Sequence, residues 1–228
     1  MYWNIIVNPW AGRGLGQRNW PAIKNLLTQA GITFNHTVTE YPGHAIELTQ
    51  QAIARGERNF IAIGGDGTLD EVINGAMLQS EVPTTEITIG IIPSGSGNDW
   101  IKLYDMQGST EDFIKYITDG QTILQDVARC DYCCDGQTGT RYMINIGGLN
   151  FDADTCLEFC RMKSKKGGAD GSFYVKSILR AMKHSRLEKC TITVDGEQFH
   201  DDETFSIALG IGKFSGGGLQ QTPYALPD

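Results

Sequence analysis

Residues 3–7, 59–63 and 87–92 are short, mostly apolar and rich in β-branched side chains, which predicts buried strands. Residues 32–39 alternate instead, placing Ile32, Phe34, His36 and Val38 on one face of a further strand. Between these runs the apolar positions move to helical spacing. Ile23, Leu26, Leu27 and Ala30 fall at i, i+3, i+4 and i+7, opened by Asn19 and Pro21 and closed by Gly31. A second helix starts at Gly43, runs through Ile46, Leu48, Ala52 and Ile53, and ends near Gly56. A third covers 69–78, and Ser109 with Asp112 caps a fourth that stops at Gly120. Strands alternating with helices predict βαβ units and a parallel sheet, with the almost wholly apolar 59–63 at its centre.

After about residue 125 the pattern changes. Residues 125–133 and 140–146 read as strands joined by the turn-rich loop 134–139, and 190–194 and 205–211 follow around an Asp195-Gly196 turn. This is antiparallel composition, so a boundary is placed there, dividing an α/β domain at 1–125 from a β-rich domain at 126–228.

Composition changes the picture in three ways. Twenty-eight glycines in 228 residues are well above the usual ~7%, and they cluster rather than repeat at a fixed period. The apolar runs are far shorter than the ~20 residues of a membrane span, and the N-terminus lacks the basic and long apolar regions of a signal peptide. A cytoplasmic protein is expected, with Cys130, Cys133, Cys134, Cys156, Cys160 and Cys190 as reduced thiols. The net charge of -8 argues against nucleic-acid binding, but the charge is uneven. Segment 155–190 carries Arg161, Lys163, Lys165, Lys166, Lys176, Arg180, Lys183, Arg186 and Lys189 against Glu158, Asp170 and Glu188.

The chemistry concentrates in loops that follow strands. Gly64-Gly65-Asp66-Gly67-Thr68 lies between an apolar strand and a helix. Ligands of open α/β sheets bind at such strand ends, glycines let backbone amides approach phosphate oxygens, and the helix N-terminus adds partial positive charge. Asp66 repels phosphate unless a cation intervenes, so it implies either Mg²⁺ or a role with the proton of an attacking hydroxyl. A second loop, Asn8-Pro9-Trp10-Ala11-Gly12-Arg13-Gly14-Leu15-Gly16, is neither a dinucleotide fingerprint nor a Walker A loop. A third is Pro93-Ser94-Gly95-Ser96-Gly97-Asn98-Asp99. Three such loops after parallel strands converge on one cleft and predict a nucleotide site. Cys130 and Cys133 read as ordinary thiols of a strand, whose i and i+3 positions face opposite ways, rather than as a zinc knuckle.

These residues resemble the diacylglycerol kinase catalytic-domain family of lipid kinases. Asn8-Pro9-x-Ala11-Gly12, Thr39-x-x-x-Gly43-His44-Ala45, Gly64 to Thr68 with Glu71-Val72-x-Asn74-Gly75, and Pro93-x-Gly95-Ser96-x-Asn98-Asp99 carry the likeness in the first half. Asn145-x-x-Gly148-x-Asn150-Phe151-Asp152-Ala153 and Gly216-Gly217-Gly218 with Pro223-x-Ala225 carry it in the second. Ser96 stands where the family usually has threonine, Asn150 where it has glycine, and Ile211 where it often has asparagine. The core loop is shared with NAD kinases and, loosely, phosphofructokinases.

The resemblance implies a Rossmann-like parallel sheet of the NAD kinase and phosphofructokinase type, followed by an antiparallel β-sandwich that is incomplete. It implies ATP and Mg²⁺ as cofactors and a lipid alcohol, diacylglycerol or a relative, as substrate. The nucleotide site it implies comprises Asn8, Trp10, Ala11, Gly12, Arg13, Gly14, Thr39, Gly64, Gly65, Asp66, Gly67, Thr68, Leu69, Asp70, Glu71, Gly95, Ser96 and Asn98. Asp66 is the expected catalytic carboxylate and a metal ligand, and Asp228 the first ligand of a structural Mg²⁺ site. Arg13 either neutralises phosphate charge or is a solvated loop arginine. The family continues past residue 228 with further strands and a glutamate proposed as base, so the chain reads as truncated.

Two alternatives stay open, an NAD kinase-like enzyme acting on a soluble substrate and an inactive nucleotide- or lipid-binding fragment. Tyr174, Ile178 and Met182 repeat on one helical face, and Lys176, Arg180 and Lys183 on another. Such a helix either lies peripherally on the anionic inner membrane face, within the basic segment 161–189, or is solvated and packed on a sheet. A homodimer is also expected.

Overall fold

A computed structural model describes residues 1–166 and 171–227. Its first half alternates β1 (Tyr2–Val7), α1 (Ala11–Gln29), β2 (Thr33–Val38), α2 (His44–Ala54), β3 (Asn59–Gly64), α3 (Asp66–Leu78) and β4 (Thr88–Pro93). The short α4 (Asp99–Lys102) and α5 (Thr110–Asp119) follow. The four strands form one parallel sheet in the order β2-β1-β3-β4. Central β3 buries Phe60, Ile61, Ala62 and Ile63 completely, as its near-continuous apolar run requires. Edge strand β2 is different: Phe34 is half-buried, while His36 and Val38 are exposed. Trp20 of α1 covers Phe34 and His36, its ring centroid 4.8 Å from the imidazole.

Helix α1 begins earlier than its sequence predicts. Gly12, Arg13 and Gly14 take left-handed backbone conformations directly after Ala11, and the regular helix then runs through Pro21. Proline is read as a first-turn residue because it lacks an N–H, but it also sits inside helices that accept a kink. The stop is as expected, with Gly31 left-handed just past the end and Gly31 N–H donating to Thr28 O. Ser109 and Asp112 form the anticipated reciprocal cap of α5.

The second half comprises β5 (Ala128–Cys134), β6 (Gln137–Met143), β7 (Ile146–Asn150), α6 (Phe151–Lys166), α7 (Gly171–Ala181), β8 (Glu188–Val194), β9 (Glu197–Thr204), β10 (Ser206–Gly210), β11 (Phe214–Ser215) and β12 (Leu219–Gln220). All its pairings are antiparallel: β5 with β6, β7 with β10, β8 with β9, and β11 with β12. The loop predicted over 134–139 is instead a two-residue turn. Asp135 and Gly136 both adopt positive φ, as Asp195 and Gly196 do in the other hairpin, so the strands pair right up to the turn. The strand predicted over 140–146 is divided between β6 and β7, and α6 has no predicted counterpart. Helices α6 and α7 meet around Phe159, Met162 and Phe173.

The main core lies between the parallel sheet and its helices and, among the described residues, takes only Ile144 from the second half as a buried member. The halves are joined by polar contacts. Fully buried Asn74 on α3 accepts from Tyr142 N–H and donates to Tyr142 O, both at 2.9 Å, so it takes the place of a strand partner for β6. Asn74→Ala removes this partner from both half-buried backbone groups and is expected to cost roughly 2 kcal/mol. Urea unfolding would show a lower midpoint at unchanged slope.

Candidate functional site

Every strand of the parallel sheet ends on the same edge, and chain order there decides where a cleft opens. The chain passes from β1 outward to β2, then returns to the other side of β1 to make β3. The connections leave β1 and β3 toward opposite faces of the sheet, so the switch point lies between these two strands. The loops that flank it are residues 8–14 and 64–68.

These loops and the one after β4 approach at backbone contact. Asn8 N–H donates to Ile63 O at 2.9 Å, and Ser94 N–H to Gly64 O at 2.6 Å. A Cβ placed on Gly65 would stand 2.9 Å from Gly95 Cα, and one on Gly95 would stand 2.5 Å from Gly65 Cα. On Gly12 it would collide with Ser94 O. Side chains lock the loops. Asn8 Nδ2 donates to Thr68 Oγ1 at 2.9 Å, and Asn8 Oδ1 accepts from Trp10 N–H at 3.0 Å. Asn98, left-handed at φ 49, closes its own loop through two hydrogen bonds with Gly95.

Asp66 opens α3 within this junction. Its Oδ1 accepts from Trp100 N–H at 3.0 Å, and its Oδ2 lies 3.4 Å from where Gly97 would carry a Cβ. Gly14 and Gly67, by contrast, look onto open space. Thr39 is buried where β2 ends, its N–H bonded to Val7 O, while Trp10, Arg13 and Ser96 are exposed around the rim. Leu69 is buried in the core, so its side chain points away from the cleft. Glu71 is committed to the scaffold: its two carboxylate oxygens accept from Gly43 N–H at 2.9 Å and Ala45 N–H at 3.2 Å, tying α3 to the start of α2. Asp228 lies outside the described residues.

Beside Gly67 a cleft of about 550 Å³ is lined by Pro42, Gly43, Ile46, Asp70, Glu71, Arg141 and Tyr142. The arrangement suits a nucleoside polyphosphate: glycine backbones and a helix start for the phosphates, one carboxylate at the junction, and a side cleft for the remainder.

Comparison with known proteins agrees with this geometry. Residues 3–130 match the family described as the diacylglycerol kinase catalytic domain. The chain belongs to this family of kinases. A Serratia proteamaculans protein named "Probable lipid kinase YegS-like" is 29% identical over 224 residues, which are 97% of this chain and 68% of that protein. The diacylglycerol kinase of Staphylococcus haemolyticus is 33% identical over 142 residues, 62% of this chain and 39% of that protein. A crystal structure of a diacylglycerol kinase from Bacillus anthracis superposes with a TM-score of 0.68 at 27% identity, covering all of this chain and 70% of that one. The parallel sheet with antiparallel strands after it is therefore the fold of this kinase family.

Around this junction the structure adds residues that were not among the expected site residues. Asp99 and Lys102 stand beside Asp66's loop, joined by an ion pair of 2.7 Å. Asp99 was visible as the last residue of the third loop, but only its burial at 6% exposure marks it out. Arg141 and Tyr142 reach the cleft through the Asn74 contact, for which the sequence carries no local signal.

Burial pushes the Asp70 carboxyl up to about 6, against the pull of Arg141 and helped by the charge on Glu71. A carboxyl raised on folding binds more protons folded than unfolded, so its cost is small near pH 4 and complete above about pH 6. Asp70→Asn removes that cost. Its stabilisation should be roughly 2 kcal/mol greater at pH 8 than at pH 4.5, read from denaturant unfolding at the two values.

Proposed function

We propose that this chain is a lipid kinase that transfers the γ-phosphoryl group of ATP, with Mg²⁺, to a hydroxyl of diacylglycerol or a related lipid. The observation that carries the reading is the convergence of the loops after β1, β3 and β4 on Asp66, in a chain of this family. The α/β domain, 1–125, binds the nucleotide, and 126–228 holds the lipid. The chain spans 63 to 74% of several lipid kinases it matches, so the activity of the whole relatives is carried over as a proposal.

Phosphoryl transfer asks the protein mainly for position and charge neutralisation. The glycine loops at 12–14, 64–67 and 95–97 present backbone to the phosphates. Asn8, Thr68 and Asn98 hold those loops in place. As the lipid oxygen bonds to the γ-phosphorus and the bond to the β-phosphate oxygen breaks, Asp66 takes the hydroxyl proton through Oδ2, its Oδ1 being held by Trp100 N–H. Mg²⁺ is commonly bound by one or two carboxylates together with nucleotide phosphates and water. Asp66 is the carboxylate at the junction that would hold the metal, in that case instead of taking the proton, and among the described residues no group of three or more His, Cys, Asp or Glu is placed to hold a metal. Bound there, Mg²⁺ would neutralise phosphate charge. Arg13 is exposed on the first loop, where it can do the same.

The lipid is met at the cytoplasmic membrane face. Helix α7 supports this, with an arrangement different from its predicted stripe. Phe173, Ser177 and Ala181 are buried and Tyr174 and Ile178 are half-buried, whereas Val175, Leu179 and Met182 are exposed at 57, 57 and 60%. This apolar row runs beside Lys176, Arg180 and Lys183, as a surface helix at anionic lipid requires. Among the described residues no helix is long and apolar enough to cross a membrane.

Incubation with γ-labelled ATP, Mg²⁺ and a mixed lipid extract is expected to place label in the organic phase. Asp66→Asn should reduce that label at least 10³-fold while melting stays unchanged, and EDTA should abolish it. Label confined to water would assign a soluble substrate instead. Replacing Lys176, Arg180 and Lys183 by Gln should weaken sedimentation with phosphatidylglycerol vesicles about 100-fold, at about 1 kcal/mol per charge; unchanged sedimentation would remove α7 from the membrane.

A further inference from the structure

The two halves of the chain meet beside Asp66 through two consecutive residues. Trp100 N–H holds Asp66 Oδ1 at 3.0 Å. The side chain of its neighbour, Asp99, reaches the other half: Oδ2 accepts from Gly217 N–H at 2.8 Å, across 118 residues of sequence. Asp99 Oδ1 is paired with Lys102 Nζ at 2.7 Å, and the same ammonium donates to Gly97 O at 3.0 Å.

Such a carboxylate needs a reason to be there. Asp99 is only 6% exposed, and a buried charge is tolerated when its oxygens are matched by donors, as both are here. Its Oδ2 and that of Asp66 both lie near Gly97, 3.2 and 3.4 Å from where that residue would carry a Cβ. Lys102 offsets the charge on Asp99.

The far side of the contact is equally constrained. Gly216, Gly217 and Gly218 all have positive φ, at 59, 94 and 115°, which turns the Gly217 amide out of the strand pattern. A Cβ on Gly216 would strike the ring of Tyr174, so α7 packs directly under this loop. The loop therefore has one wall in α7, at half-buried Tyr174, and one attachment at Asp99.

We propose that Asp99 is a positioning residue that latches the Gly216–Gly218 loop to the third nucleotide loop and so sets the distance between the acceptor hydroxyl and the phosphoryl group. This rests on the kinase reading for its consequence, but the latch is a property of the chain itself. Asp99 is buried and both its oxygens are taken by protein donors. It acts through Gly217.

The test compares Asp99→Ala and Asp99→Asn with the unsubstituted chain in two measurements. In hydrogen–deuterium exchange, Asp99→Ala should raise the rate across residues 214–220 about tenfold and leave 59–64 unchanged, while Asp99→Asn, which keeps an oxygen for Gly217 N–H, should change it less than threefold. In the labelled-lipid assay, Asp99→Ala should lower kcat about 100-fold and raise the lipid KM with the ATP dissociation constant unchanged, and Asp99→Asn should recover most of that loss. Unchanged exchange at 214–220 overturns the latch, and faster exchange with unaltered kcat and lipid KM overturns its role in positioning. Should Asp99→Ala fail to fold, exchange and kinetics of Asp99→Asn against Lys102→Met, which strips the offsetting charge, decide the same two points. No organic-phase label from the unsubstituted chain would instead overturn the kinase reading, and exchange alone would then judge the latch.

Discussion

The backbones of residues 65 and 95 touch, and the site depends on that contact. With no Cβ on either residue, the loops leaving β3 and β4 close to van der Waals distance. Gly12 brings the first loop to Ser94 O under the same constraint. If any of these glycines gained a side chain, the loops would separate and Asp66 would lose the Trp100 N–H that fixes its orientation. The glycine clusters are thus explained less by flexibility than by proximity. Where the chain does use glycine for conformation, at Gly12 and Gly14 beside left-handed Arg13, it converts the exit of β1 into the start of α1 without a linker.

Electrostatics set a second constraint. The candidate site gathers Asp66, Asp70, Glu71 and Asp99 in a chain of net charge -8, and Asp70 and Glu71 line its side cleft. The structure disposes of these charges one by one. Glu71 is absorbed by two backbone amides at the start of α2. Asp99 is matched by Lys102 and Gly217 N–H. Asp70 responds to burial by holding its proton to about pH 6. Asp66 is left as the carboxylate whose second oxygen faces the loop junction, which is what a proton acceptor beside a bound phosphate needs.

Much of this was legible in the sequence where a single local rule governed. Periodicity gave the four parallel strands and the helices between them, and the Ser109–Asp112 cap placed α5. Asn150 proves to be left-handed, as an asparagine in a glycine position can be, with its Nδ2 bonded to Thr204 O. Illegible features were those decided by partners distant in sequence. Pro21 looked like a helix start until the loop before it supplied a nucleus at Ala11. Leu69 was expected in the nucleotide site from the resemblance, yet its side chain belongs to the core. The orientation of α7 follows from which of its apolar residues find a surface to pack on, and Met182 finds none where Ala181 does.

The join between the halves is polar and sparse, and this bears on how such a site could work. Besides Asn74 and Asp99, the connection runs through Gln125, whose Oε1 accepts from Trp100 Nε1 and Tyr104 OH and whose Nε2 donates to Ile144 O. Trp100 therefore touches both Asp66, through its backbone, and the segment where one half gives way to the other, through its indole. Polar joins of this kind fix a geometry by direction rather than by area, and they separate at low cost when water replaces the partners. The proposed transfer needs its two reactants in line to within about an ångström. Under that proposal, the directional hydrogen bonds clustered at residues 99, 100 and 125 are the contacts that would fix one half against the other at this distance from Asp66.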